Sequence, residues 1–329
     1  MRFARVPLLL MFVLTLLPAV NAQDDDPIRV DSAVVRLNVG VVDQRGRPIT
    51  SLSRSDFSLF EDNIRQEILS FETTSAPFSV VMLLDMSGST MSFRQNIKLS
   101  ATRFLDALAP NDRLAVVEFY SRIRTLNDFT TDRRRAAFSI SAANGRGDTD
   151  LYQALEFALN LLSKEQTKRK AIVVLTDGVD TKQQELDREL IREIADEAVP
   201  AAIRPGDNAT LNRMLEMADR EGVTIYPLAL PTGDPARLAD PTIRQVAMFN
   251  AARERLQIIA DRTGGTLNAI RRLEEMGRLY AEIAADLRTL YTIEYAPSNL
   301  TRDGKWRTIN IRVSDPSLIS RTRPGYFAR

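Results

Sequence analysis

Two apolar runs constrain the fold of this 329-residue chain more than any other feature: Phe78-Ser79-Val80-Val81-Met82-Leu83-Leu84 and Ala171-Ile172-Val173-Val174-Leu175. Neither shows the in-out alternation of a strand with one wet face, and both suit strands covered on both sides, as in a parallel sheet. Between and after them helix and strand alternate. Helical patterns span 91–108, 151–162, 185–198, 211–221, 244–262 and 273–290, with strands at 114–119 and 223–230 and a short one beginning at 264–267. Strands separated by helices of this length predict an α/β fold, a doubly wound, mostly parallel sheet with helices on both faces.

The flanks have a different period. Val35, Leu37, Val39 and Val41 alternate with Arg36, Asn38 and Gly40, and short strands follow at 57–60 and 68–71. The alternation returns at Tyr291, Ile293 and Tyr295 and at Ile309, Ile311 and Val313. Each group is too small for a stable sheet by itself. Residues 31–76 and 291–327 are therefore expected to pair into one small β-sandwich, with the α/β domain, 77–290, inserted between its halves. The loop around 200–207 looks like an insertion.

The first residues have another purpose. Arg2 and Arg5, an apolar stretch at 6–17 and the small residues of Val20-Asn21-Ala22 predict a cleaved Sec-type signal peptide, 1–22. An apolar run of roughly a dozen residues falls short of the ~20 that span a bilayer, although an uncleaved anchor is the alternative. Without cysteine, lipidation at that point is excluded. A secreted or periplasmic protein with no membrane span after cleavage is expected.

The chain has neither histidine nor cysteine. This removes histidine bases, cysteine nucleophiles, His/Cys zinc sites and disulfides. Cleavage takes away two arginines and no acid, turning the net charge from +1 to −1. Such a balance makes no electrostatic case for nucleic acid. The basic runs Arg133-Arg134-Arg135 and Lys168-Arg169-Lys170 are most simply solvated surface.

In a doubly wound sheet, ligands bind beyond the carboxyl ends of the strands. There the chain reads Asp85-Met86-Ser87-Gly88-Ser89-Thr90 after the first apolar run and Thr176-Asp177-Gly178 after the second, with Gly145-Arg146-Gly147-Asp148-Thr149-Asp150 before a helix. Two carboxylates and several hydroxyls form an all-oxygen set suited to a hard cation such as magnesium, which takes about six oxygens. Ser87 and Ser89 can face one point across Gly88, Asp85 and Asp177 supply charge directly or through water, and Thr149 can complete the set. The competing reading is that Ser89 or Thr90, and Asp148 or Thr149, merely cap helices.

This three-part order, Asp85-x-Ser87-x-Ser89, then Thr149, then Asp177, resembles the metal-ion-dependent adhesion site of von Willebrand factor type A domains. The flanking "VVRLNVGVVDQRGRPITSLSRSDFSLFEDN", "GGT" at 264–266 and "RTRPGYFAR" resemble the secreted bacterial VWFA-related subgroup of acidobacterial type. The resemblance implies Ser87, Ser89 and Thr149 as hydroxyl ligands of Mg2+, with Mn2+ or Ca2+ as substitutes, and Asp85 and Asp177 acting mainly through waters. It also implies a non-enzymatic adhesion module whose protein partner presents an Asp or Glu carboxylate. Asp148 departs from the family, which commonly has glycine there. Asp180 is expected to be loop surface.

Two other functions compete: a structural component of the cell envelope with a structural metal, and a Mg2+-dependent phosphatase with an aspartyl nucleophile. The second is weakened by Ser87, which stands where that chemistry places a second aspartate. The Arg146-Gly147-Asp148 tripeptide is treated as coincidence, and Trp306 and Tyr326-Phe327 are expected to pack the sandwich.

Overall fold

The computed structural model describes residues 34–237 and 239–329, so the expected leader 1–22 lies outside the described residues. Strands β1 (Val35–Val42), β2 (Phe57–Glu61), β3 (Ile64–Gln66) and β4 (Ile68–Glu72) come first. The α/β region follows: β5 (Phe78–Asp85), α1 (Arg94–Ala107), β6 (Arg113–Phe119), β7 (Ile123–Thr130), α2 (Arg133–Ala142), α3 (Leu151–Ser163), β8 (Arg169–Thr176) and α4 (Thr181–Leu190). It continues with α5 (Val199–Ala202), α6 (Ala209–Glu221), β9 (Val223–Ala229), α7 (Ile243–Thr263), β10 (Asn268–Ala269) and α8 (Met276–Leu287). Strands β11 (Leu290–Tyr295), β12 (Trp306–Val313), β13 (Ile319–Arg321) and β14 (Gly325–Phe327) end the chain.

The central sheet has the order β10-β9-β8-β5-β6-β7. It is parallel except at β7, which runs antiparallel to β6. All eight residues of both β5 and β8 are buried, because helices cover both faces. Val80, Met82 and Leu84 meet the layer of α1 and α8, whereas Val81 and Leu83 meet that of α3, α6 and α7. Each such side chain contributes roughly 1.5–3 kcal/mol by leaving water.

Strands from the two ends of the chain form two antiparallel sheets, β13-β1-β11-β4 and β14-β12-β2-β3. The β1–β11 register, Val39 opposite Tyr291 and Leu37 opposite Ile293, aligns the apolar alternation of both strands over one core. That core is the sandwich interior. The remaining face of β11 is covered too: the Thr292 hydroxyl donates to Asn38 Oδ1 at 2.8 Å, and Glu294 pairs with Arg36 and Lys168. Asn38 in turn donates to Thr224 Oγ1 of β9 at 3.0 Å. The sandwich thus rests against the α/β layers through polar bonds.

Several elements differ from expectation. Edge strand β7, with the mixed pattern Ile-Arg-Thr-Leu-Asn-Asp-Phe-Thr, and helix α2 were not foreseen. Arg134 and Arg135 are exposed, in keeping with solvated surface, and the run Arg133-Arg134-Arg135 forms the first turn of α2, where Asp132 accepts the N–H groups of Arg134 and Arg135. The 91–108 helix begins with a 3-10 turn, Met91–Phe93. The long helix at 185–198 stops at Leu190, and the supposed insertion holds α5 and a 3-10 turn at Pro205–Asp207.

The run Lys168-Arg169-Lys170 contradicts its reading as solvated surface. Arg169 is 1% exposed and Lys170 4%. The Arg169 guanidinium donates to the carbonyls of Thr74, Ala76, Leu287 and Leu290 and stacks over Phe78. It therefore sits where the chain enters β5 and where it leaves α8. Among the described residues no helix is long and apolar enough to cross a membrane.

Candidate metal centre

After β5 the chain moves outward to β6 and β7, then returns to place β8 on the other side of β5, and continues to β9 and β10. The direction of winding reverses between β5 and β8, so their carboxyl ends open a crevice at a topological switch point. Leu84 pairs with Leu175 in the register. Asp85 is the last residue of β5, and Asp177 follows the last residue of β8.

A ring of hydrogen bonds closes three loops around these ends. The Thr176 hydroxyl donates to Asp85 Oδ2 at 2.7 Å, and the backbone N–H of Ser87 donates to Asp85 Oδ1 at 3.0 Å. The Ser87 and Ser89 hydroxyls lie 3.1 Å apart. The Gly88 N–H donates to Gly147 O at 2.9 Å, joining the second loop to the first. Gly147 has φ +98°, a conformation that a Cβ would strain, and a Cβ there would also meet Ser121 Oγ at 2.4 Å. Thr149 and Thr181 exchange two bonds of 2.9 Å, N–H to hydroxyl one way and N–H to carbonyl the other. Arg94 spans the first two loops, donating to the Met86 and Gly145 carbonyls and to Asn144 Oδ1.

The structure therefore brings Asp85, Ser87, Ser89 and Asp177 to one point and anchors Thr149 on Thr181, four residues beyond Asp177. Asp85 and Ser87 are fully buried, Asp177 is 2% exposed and Thr149 5%. Ser89 is exposed and marks the mouth. Burial raises the Asp85 carboxyl first and the charge of Asp177 second, together pushing it up to about 7. Asp177 is raised as well, chiefly by burial, against which the Ser89 hydroxyl and the Val179 N–H work. No lysine or arginine among the described residues bonds to either carboxylate. Arg253 of α7 feels the charge of Asp177 without pairing with it.

Two buried, mutually repelling acids surrounded by hydroxyls fit a small dication. Such a site needs no third acid, and among the described residues no group of three or more Asp, Glu, His or Cys is placed to hold a metal. The capping alternative fits poorly. Phe93 and Asp150 occupy the N-cap positions of α1 and α3 without side-chain caps, and the Thr90 hydroxyl turns back to Asp85 O and Ser87 O.

Asp180 is not loop surface. It is 7% exposed, caps α4 by accepting the Gln183 N–H, and accepts the Tyr152 N–H of α3. Asp148 is exposed. Three hydroxyls escaped the sequence reading: Thr176, Thr181 and Thr232, the last reaching Asp177 Oδ2 at 3.5 Å. Thr176 and Thr232 follow apolar strand segments, a positional signal that was there to use.

No curated protein matches the sequence. Among solved structures, the vWF domain of the type V pili tip protein Mfa5 from Porphyromonas gingivalis is 16% identical, with a TM-score of 0.48 over 64% of this chain and 94% of that one. A von Willebrand factor type A protein from Catenulispora acidiphila is also 16% identical, with a TM-score of 0.47 over 83% of this chain and 63% of that one. The open pilus adhesin SpaC from Lactobacillus rhamnosus GG is 11% identical, with a TM-score of 0.49 over 83% of this chain and 47% of that one. The chain thus spans less than two thirds of the latter two. The family model described as von Willebrand factor type A domain matches residues 80–179, the stretch from β5 through the loop after β8 that contains all three segments of the candidate site. Residues 80–179 thus match the von Willebrand factor type A domain model.

Proposed function

We propose that the chain is a non-enzymatic protein-binding module that holds Mg2+, with Mn2+ or Ca2+ as substitutes, among Asp85, Ser87, Ser89, Thr149 and Asp177, and through it binds an acidic group of a protein partner. The observation that carries this reading is the pair of buried carboxylates at the switch point, both raised by burial and Asp85 also by the charge of Asp177, with hydroxyls rather than cations around them. A bound dication supplies the missing positive charge and, because its hydroxyl ligands are neutral, stays electrophilic enough to accept a carboxylate. Ser87, Ser89 and Thr149 act as hydroxyl ligands, and Asp85 and Asp177 mainly through waters.

Two observations favour binding over the alternatives. The loops are already tied by protein hydrogen bonds, so a metal is not needed to hold them together. Asp85 makes a poor nucleophile, being fully buried with one oxygen held by Thr176 and the other by Ser87. We also infer, from the flanking motifs, membership of the secreted bacterial VWFA-related subgroup, with residues 1–22 as a cleaved leader and a location outside the cytoplasm.

The test is calorimetric titration of Mg2+ and Mn2+ into residues 23–329, beside the Ser87→Ala/Ser89→Ala double variant. One-site binding that the variant loses is the expected result. A folded wild type that binds neither ion overturns the reading.

A further inference from the structure

A solvent-open cleft of about 500 Å3 borders the metal centre. It is lined by Tyr120, Ser121 and Arg122 of the β6–β7 turn and by Asn144, Gly145 and Arg146 of the second metal loop. The two walls are fixed against each other. Ser121 Oγ accepts the Asp148 N–H at 2.9 Å, and a Cβ on Gly145 would come within 2.3 Å of the Tyr120 ring. The Asn144 N–H is held by Glu118 Oε2 at 2.7 Å. The cleft and the candidate centre share this loop: Gly147, which follows Arg146, accepts the Gly88 N–H at its carbonyl.

The cations in this cleft differ from their neighbours. Arg94 is spent on loop carbonyls, and Arg124 is paired with Glu118 at 2.6 Å. Arg122 and Arg146 are exposed, and their guanidinium groups make no ion pair or hydrogen bond with any described residue. Asp148, the nearest acid on the loop, does not line the cleft. Two exposed arginines on the lining of one cleft match a carboxylate in charge, and each guanidinium offers paired N–H donors.

We propose that Arg122 and Arg146 form a second anion subsite, so that the partner is an acidic peptide segment bearing two carboxylates, one taken at the metal and the other by the arginine pair. The inference rests on the metal reading above and adds what that reading lacks, a source of selectivity. A carboxylate at a metal can come from any acidic residue. A neighbouring cationic cleft favours closely spaced acids and fixes the direction in which the segment lies.

The test uses fluorescently labelled hexaglutamate and a hexapeptide with one glutamate among glycines, measured by anisotropy in Mg2+ against wild type, Arg122→Ala/Arg146→Ala and Arg122→Lys/Arg146→Lys. Mg2+ titrations run in parallel. Wild type is expected to prefer hexaglutamate, the alanine pair to bind it roughly tenfold more weakly with unchanged Mg2+ affinity, and the lysine pair to fall between. Hexaglutamate binding that is absent from wild type, or equal in wild type and the alanine pair while Mg2+ still binds, overturns this inference alone. Loss of Mg2+ binding in the wild type overturns the metal reading beneath it.

Discussion

The Thr176 hydroxyl donates to Asp85 Oδ2 at 2.7 Å, bridging the ends of β8 and β5, and accepts the Gly178 N–H at 3.1 Å. One side chain therefore orients the acid of the first loop and the backbone of the third. The link exists because β5 and β8 are neighbours in register, which puts the end of one strand beside the end of the other.

Thr176→Val keeps the shape and removes both bonds. Stability should fall by about 1–3 kcal/mol, since a buried carboxylate oxygen and a buried N–H each lose a partner. Mg2+ affinity should fall as well, because Asp85 is no longer held in place. Chemical denaturation with and without Mg2+ measures both effects, and unchanged values in both would show that Thr176 is a passive strand residue.

The pH dependence follows from Asp85. Its folded carboxyl titrates at about 7 against an ordinary 3.8, so the folded state binds the proton more tightly than the unfolded chain. Stability is fully present below about pH 4 and is lost as pH rises through about 7. Asp177, also raised, acts in the same direction. With Mg2+ bound as proposed, the ion competes with those protons, so the rise in Tm on its addition should be larger at pH 8 than at pH 5.5. In Asp85→Asn, metal-free melting should vary less over that interval. Thermal melts at the two pH values, with Mg2+ or with chelator, decide the matter.

Arg169 joins the two ends of the α/β region. Its guanidinium serves carbonyls of the linker before β5, at Thr74 and Ala76, and of the chain leaving α8, at Leu287 and Leu290. Burial lowers its pKa to about 10, so it stays charged at neutral pH. Arg169→Met fills much of the volume but leaves these acceptors unpaired. A loss of about 3 kcal/mol or more is expected, together with faster proteolytic cleavage at 73–77. Arg169→Lys should recover only part, because one ammonium cannot reach four carbonyls from a planar fork's positions.

What could be read beforehand was set by local chemistry. The unbroken apolar runs of β5 and β8 reflect coverage on both faces, and their ends locate Asp85 and Asp177 from the sequence alone. The alternation in β1 and β12 likewise marked strands with one apolar face. Arg169 and Lys170 defeated that logic: charge predicts surface unless carbonyls remote in sequence are known to converge on it. Strand β7 was missed because an edge strand, half covered, has no clean period. Thr176 and Thr181 were missed because a threonine at an element's end looks the same whether it faces solvent or an aspartate across the sheet. Asp180 was misjudged for the same reason, as its cap depends on where α4 begins.

Gly233 tests how closely the third loop must be built. It lies in the 3-10 turn Pro231–Gly233 after β9, and a Cβ there would stand 2.0 Å from the carbonyl oxygen of Asp177. The obstacle is backbone, which cannot rotate away as a side chain can. Its position is fixed on both sides: the Leu230 N–H donates to Thr176 O at 2.8 Å, and the Thr232 hydroxyl reaches the Asp177 carboxylate. Gly233→Ala must therefore displace the Asp177 loop, the β9 turn or both. Because that strain falls at the end of the sheet and not in its core, the fold should survive with a loss of about 1–3 kcal/mol, the range of an overpacked site. Mg2+ binding should suffer more, since Asp177 moves relative to Asp85 and Ser89. Circular dichroism to confirm the fold, followed by Mg2+ calorimetry, separates the two effects. Wild-type Mg2+ affinity in a folded Gly233→Ala variant would mean that Asp177 need not hold its position for the ion to bind.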